Sequence, residues 1–187
     1  MQTSMSQQSF GLSKEVAQCH QMQTQALTEL LQLLLGYGWK IETFRADTIS
    51  DFRDPTSTLL FNHLSFSESS NGQISFYGHE DFENQEASGW RFLETEILLP
   101  SAEGDEVSLQ RAYDFLKTYT PIAINVEGDY AFLLSDEDGQ IFEAVAPDIE
   151  EVSLVATSLV EFVERLSREA KLSHMTLLVR TWLGRHV

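Results

Sequence analysis

The segment from Pro121 to Leu166, PIAINVEGDYAFLLSDEDGQIFEAVAPDIEEVSLVATSLVEFVERL, constrains the fold more than any other part of the chain. Tyr130 to Leu134 is apolar and aromatic, and Gln140 to Val145 reads as a return strand. Between them, Asp136-Glu137-Asp138-Gly139 is a hairpin turn, with Asp-Gly supplying the positive φ angles such a turn needs. Ser158 and Glu161 form an S-x-x-E capping box, in which each side chain satisfies an orphan backbone donor at a helix start. Behind it, Leu159, Phe162, Val163, Leu166 and Ala170 recur at helical spacing and make one apolar face.

The rest of the chain is read by the same rules. Residues 1–12 are polar and rich in Gln and Ser, which predicts a mobile lead-in. Ser13 to Leu35 reads as a helix with Val16, Cys19, Gln23, Ala26, Leu27, Leu30, Leu31 and Leu34 along one side. Extra leucines between Gln32 and Leu35 predict burial on more than one side, and Gly36 is placed to end the helix. Trp39 to Phe44, Leu59 to Phe66, Gln73 to Tyr77 and Trp90 to Leu99 each read as strands. Asp54-Pro55 is taken as a breaker, Asn71-Gly72 as a turn and Gly78 to Gly89 as an acidic loop. Val107 to Tyr119 predicts a short helix with Leu109, Ala112, Tyr113 and Leu116 as its face, and Ser173 to Leu183 fits strand or helix equally. No long crossover separates successive strands, so the pattern argues for an α+β fold. The expectation is one domain over 13–172, with an antiparallel sheet of about five to six strands. Against it pack an N-terminal helix, a short middle helix and a C-terminal amphipathic helix, followed by a basic extension over 173–187.

Charge narrows the function classes. The net charge is −17, from 29 acids against 12 bases. Such a surface repels nucleic-acid phosphates and anionic lipid and speeds encounter with basic partners. From Glu80 to Glu164 the only lysines or arginines are Arg91, Arg111 and Lys117. From Arg165 onward the balance reverses, with Arg165, Arg168, Lys171, Arg180 and Arg185 against Glu169 alone. No apolar run approaches the ~20 residues of a membrane helix. The N-terminal stretch lacks the charged start and apolar run of a signal peptide, so a cytoplasmic setting is expected. Cys19 is the single cysteine, which excludes an internal disulfide and a cysteine-rich zinc site.

A search for chemistry selects no catalytic residue, cofactor or metal. There is no G-x-S-x-G elbow, and His20, His63, His79, His174 and His186 sit in contexts that suggest no base. His79-Glu80-Asp81, with His63, is the best ligand group for an ion, but a solvated loop explains it better. The acids Asp129, Asp136, Glu137 and Asp138 lack the spacing of a calcium loop. No phosphate-cradling glycine motif occurs.

The stretch Pro121-Ile122, Gly128-Asp129-Tyr130, the turn with Gly139, Ile141-Phe142, Ser158, Glu161-Phe162 and Leu166 resembles the C-terminal half of the SUKH superfamily. These domains are related to the yeast cell-wall synthesis regulator and to bacterial toxin-immunity proteins. Upstream the chain departs from that family's order: Pro55 is its only early proline and Asn71-Gly72 comes late. The order of elements also resembles type III secretion chaperones and YbjN-like proteins, which are small, acidic and often dimeric.

Both resemblances imply a non-enzymatic protein-binding module. The first implies an immunity or adaptor protein that caps a basic partner, and the second a homodimer that holds a client segment. The candidate contacts are Asp129, Tyr130, Glu137 and Trp90, with Glu80, Asp81, Glu83 and Glu86 of the acidic loop.

Overall fold

Strand β5 (Ala131–Ser135) is buried at all of its positions because helices cover both faces of its sheet. The computed structural model describes residues 5–43, 54–83, 91–146, 151–172 and 176–184, with side chains from residue 17 onward and excepting Glu83. The chain begins with α1 (Met5–Gly36) and β1 (Lys40–Thr43), then α2 (Pro55–His63), β2 (Leu64–Glu68), β3 (Ile74–Phe76) and α3 (His79–Glu83). A π-helix (Leu93–Leu98) runs into α4 (Leu99–Ser101), followed by α5 (Glu106–Thr118) and β4 (Thr120–Asn125). After β5 come β6 (Ile141–Val145), β7 (Ser153–Ala156), α6 (Leu159–Glu169) and α7 (Leu177–Leu183). The main sheet has the order β3-β4-β5-β6-β7 with every pairing antiparallel, and β1 and β2 form a separate antiparallel pair. The architecture is α+β, as the sequence predicts.

Strand alternation divides the core in two. Phe76, Ala123, Ala131, Leu133 and Ile141 face α1, α2, α6 and α7. Phe132, Leu134 and Ala144 face the π-helix and α5, which contribute Leu93, Leu98, Ala112 and Phe115. The expected face of α6 is observed, with Leu159, Phe162, Val163 and Leu166 buried and Ala170 half-buried. Its cap differs in one arm. Ser158 Oγ accepts from Glu161 N at 3.2 Å, but the Glu161 carboxylate reaches Thr157 N, at 2.8 Å, and the Thr157 hydroxyl. Those bonds, the hydroxyl first, hold the Glu161 carboxyl below its usual range.

Several expectations are corrected. Leu59 to Phe66 is not one strand. Asp54 caps α2 by accepting from Ser57 N at 2.8 Å, and Pro55 sits at the first helical turn, so the supposed breaker is a helix start. Six residues of α2 are buried, and a helix buried on most sides shows no amphipathic period to read. Trp90 to Leu99 is not a strand either, over the residues described. Leu93 and Leu98, five apart, both reach the core because the π-helix spacing aligns them. The Arg91–Glu94 ion pair at 3.2 Å supports that helical path.

His79–Glu83 is a short helix where a loop is predicted. Strand β7 comes from a stretch the sequence reading passed over. Helix α1 starts at Met5 rather than Ser13, and Leu35 near its end is 56% exposed rather than buried. On α5 Ala112 is buried as expected, but Phe115 is buried beside it and Tyr113 is 49% exposed. The β5–β6 turn takes its positive φ at Gly139 alone, and no described non-glycine residue adopts one. Asp136 organises that turn instead, accepting from Gln140 N at 2.9 Å and Asp138 N at 3.1 Å.

The C-terminal segment set apart as an extension supplies core. Leu178, Val179, Trp182 and Leu183 are buried, with Trp182 Nε1 donating to Glu143 at 2.8 Å. Asn125 Nδ2 donates to Thr181 O at 2.8 Å, and Trp39 Nε1 to Leu183 O at 3.3 Å.

The outer edge of β3 is closed by serines of the β2 segment. Ser67 Oγ accepts from Phe76 N at 2.9 Å and donates to Phe76 O at 2.8 Å. Ser69 repeats the arrangement one pair along, its Oγ accepting from Ile74 N at 2.9 Å and its N–H donating to Ile74 O at 2.8 Å. A hydroxyl thus satisfies buried backbone groups that a neighbouring strand would otherwise serve. Ser67→Ala strands both Phe76 groups and lowers stability by about 1–3 kcal/mol. Urea unfolding checks this against Ser70→Ala, an exposed change expected to stay within about 0.5 kcal/mol.

Candidate functional site

The predicted contact residues do not converge. Asp129 and Tyr130 precede β5 and Glu137 follows it, so β5 separates them by roughly 20 Å. Register puts α3 at the Glu137 end: Phe76 pairs with Ala123, Tyr77 N donates to Ile122 O, and Thr120 pairs with Ser135. Glu80 and Asp81 therefore lie toward the Glu137 end and away from Tyr130. Trp90 and Glu86 lie outside the described residues, as does the side chain of Glu83.

The α3 acids have local tasks. Glu80 accepts from Ser65 Oγ at 2.7 Å. Asp81 reaches back to the N–H of Gly78 at 2.9 Å and so caps its own helix. Burial raises the Asp81 carboxyl above its ordinary range, with Gly78 N–H acting against the shift. Burial also pushes up the Tyr77 phenol beside it, followed by the charge of Asp81, so that hydroxyl stays neutral. Tyr77 and Phe82 pack with Phe61, and the ring of His79 stands edge-on to Phe61 at 4.6 Å. Among the described residues no cluster of three or more His, Cys, Asp or Glu is arranged to hold a metal ion.

The Tyr130 end has the form of a contact surface. Asn125 pairs with Ala131, which sets Val126 opposite Tyr130 across the turn Glu127-Gly128-Asp129. Gly128 has φ +77, and an added side chain there meets nothing, so glycine serves the turn and not packing. Val126 is 40% exposed and Tyr130 38%, and the Tyr130 ring rests on Phe92 with centroids 5.3 Å apart.

The backbone beneath is fixed. Val126 N donates to Gln73 O at 2.8 Å and Ala146 N to Tyr130 O at 2.8 Å. Asn125 accepts from Glu127 N while donating to α7, so one side chain ties the turn to the C-terminal helix. The exposed acids Glu127 and Asp129 flank the aromatic pair. Sequence reasoning found Asp129 and Tyr130 but missed Val126 and Phe92. Val126 passes as a strand residue, and Phe92 meets Tyr130 only because its segment is helical.

Among the described residues no helix is long and apolar enough to cross a membrane. Comparison with known proteins gives no match to a family model, a curated protein or a solved structure.

Proposed function

We propose that this chain is a non-enzymatic, SUKH-like protein-binding module, an immunity or regulatory adaptor protein working in the cytoplasm. It takes a basic protein partner on the end of the sheet formed by Val126, Asp129 and Tyr130. The observation that carries the reading is the half-exposed Tyr130, supported from below by Phe92 and flanked by Glu127 and Asp129. A rigid aromatic anchor supplies affinity at low entropic cost, and surrounding charge of one sign supplies encounter rate and specificity. The net charge of −17 favours a basic partner for the same reason.

The test begins with capture of a partner from native lysate at low salt, followed by titration of that partner against purified variants. Tyr130→Ala weakens binding about thirtyfold, the size of a hot-spot truncation of roughly 2 kcal/mol. The double variant Glu127→Lys with Asp129→Lys weakens it and flattens its salt dependence. Glu137→Lys, at the opposite end, leaves affinity nearly unchanged. The reverse ranking, with Glu137→Lys damaging and Tyr130→Ala silent, overturns the assignment of the surface.

A further inference from the structure

Among the side chains described, helix α1 contributes to the core only from its C-terminal part, through Ala26, Leu27, Leu30 and Leu34. Its 32 residues span about 48 Å, yet burial begins only at Ala26 among the side chains described. Ala17, Gln18, Cys19, His20, Gln21 and Met22 are all exposed. A helical half of this length, rich in Ser and Gln and exposed from Ala17 to Met22, is marginal in water by itself, so its stability calls for a covering surface.

The sequence supplies the seam for one. Ala26 and Leu30 are buried against the body, and the same alternating steps of three and four residues run back through Gln23, Cys19, Val16 and Leu12. Where this stripe leaves the core it borders an open groove of about 320 Å³ between α1 and α2. Cys19 and Gln23 line one wall, and Pro55, Leu59 and His63 line the other.

Charge decides what fits there. Lys14, Glu15 and Glu29 are the only Lys, Arg, Asp or Glu residues of α1, so this helix is close to neutral in a chain of net charge −17. A basic partner is drawn to the acidic body, with its excess of carboxylates, rather than to α1. A second copy meets repulsion over the acidic stretch from Glu80 to Glu164 but not along this helix, and an antiparallel pair of nearly neutral helices holds those acidic stretches apart. The matching surface on such a copy is the same stripe and the same groove, as a two-fold contact requires.

We infer that the N-terminal half of α1 docks in the α1–α2 groove of a second copy of this chain and forms a two-fold homodimer. This interface is independent of the Tyr130 surface and stands or falls separately from it.

The test is light scattering on the reduced full-length protein over a concentration series, together with a short bismaleimide crosslinker acting on Cys19, the sole cysteine. The expected mass at micromolar concentration and above is twice 21.2 kDa, with crosslinking between copies. Val16→Glu returns the mass to 21.2 kDa and abolishes the crosslink, while its circular-dichroism melting curve shows a folded body. Ser70→Lys, on an exposed turn elsewhere, leaves the dimer intact. A monomer at the highest concentration overturns the inference, and so does a dimer that Val16→Glu does not dissociate.

Discussion

Trp182→Ala lowers the unfolding free energy by about 3–5 kcal/mol, a large part of the stability of a domain this size. The indole is fully buried between the sheet and the helical layer, with its ring 6.5 Å from Phe76. Truncation removes the transfer free energy of the ring, leaves a cavity among Leu178, Val179 and the core strands, and deprives Glu143 of its indole donor. Trp182→Phe separates the terms. It keeps most of the apolar volume and loses the N–H, so its cost is smaller, about 1–3 kcal/mol. Urea unfolding followed by far-ultraviolet circular dichroism measures both. If each variant unfolds within about 0.5 kcal/mol of the parent, α7 is not part of the core.

Gly78→Ala is expected to cost about 3 kcal/mol or more, the upper end for overpacking, because the atoms it meets belong to the backbone. A Cβ at this position lies 2.5 Å from Leu64 O and 2.6 Å from Ser65 O. No rotamer change relieves such a contact. Either β2 moves from the edge of β3, breaking the Ser67 and Ser69 bonds, or α3 moves and exposes Phe82. Gly36→Ala is the comparison. Nothing lies within 4 Å of its Cβ and its φ is not positive, so the change is neutral or stabilises by about 0.4–1 kcal/mol. Equal melting temperatures for the two variants would show that the β2–α3 approach is not rigid.

How much of this was legible in sequence follows from where the information sits. The β5–β6 hairpin and capped α6 were readable because turn chemistry, period-two apolar runs and a capping box are local. The α2 segment was misread because it is buried on several sides, where period is erased, and the π-helix because its two core leucines stand five apart, off the α-helical period. Asp54-Pro55 carries opposite meanings, breaker or helix start, and only the Ser57 N–H at 2.8 Å decides between them. At the candidate site, Tyr130 was found from its own context, while Phe92 needed a contact 38 residues away in sequence. The acids of α3 were grouped with Asp129 by charge. Strand register is a long-range property, and it puts them at the far end of the sheet.

The docking of α7 has a consequence for how the chain acquires its structure. Trp39 bonds Leu183 across 144 residues, and Tyr37 reaches Ala170 across 133. Contacts of that separation require loop-closure entropy to be lost before they form, so they are expected to form late. During synthesis, α1 and the strands emerge long before the helix that completes their packing. The apolar surface of the helical layer therefore stays uncovered until α7 has emerged. A truncated or stalled product ending before Leu177 exposes that layer and is expected to aggregate or to be captured by chaperones.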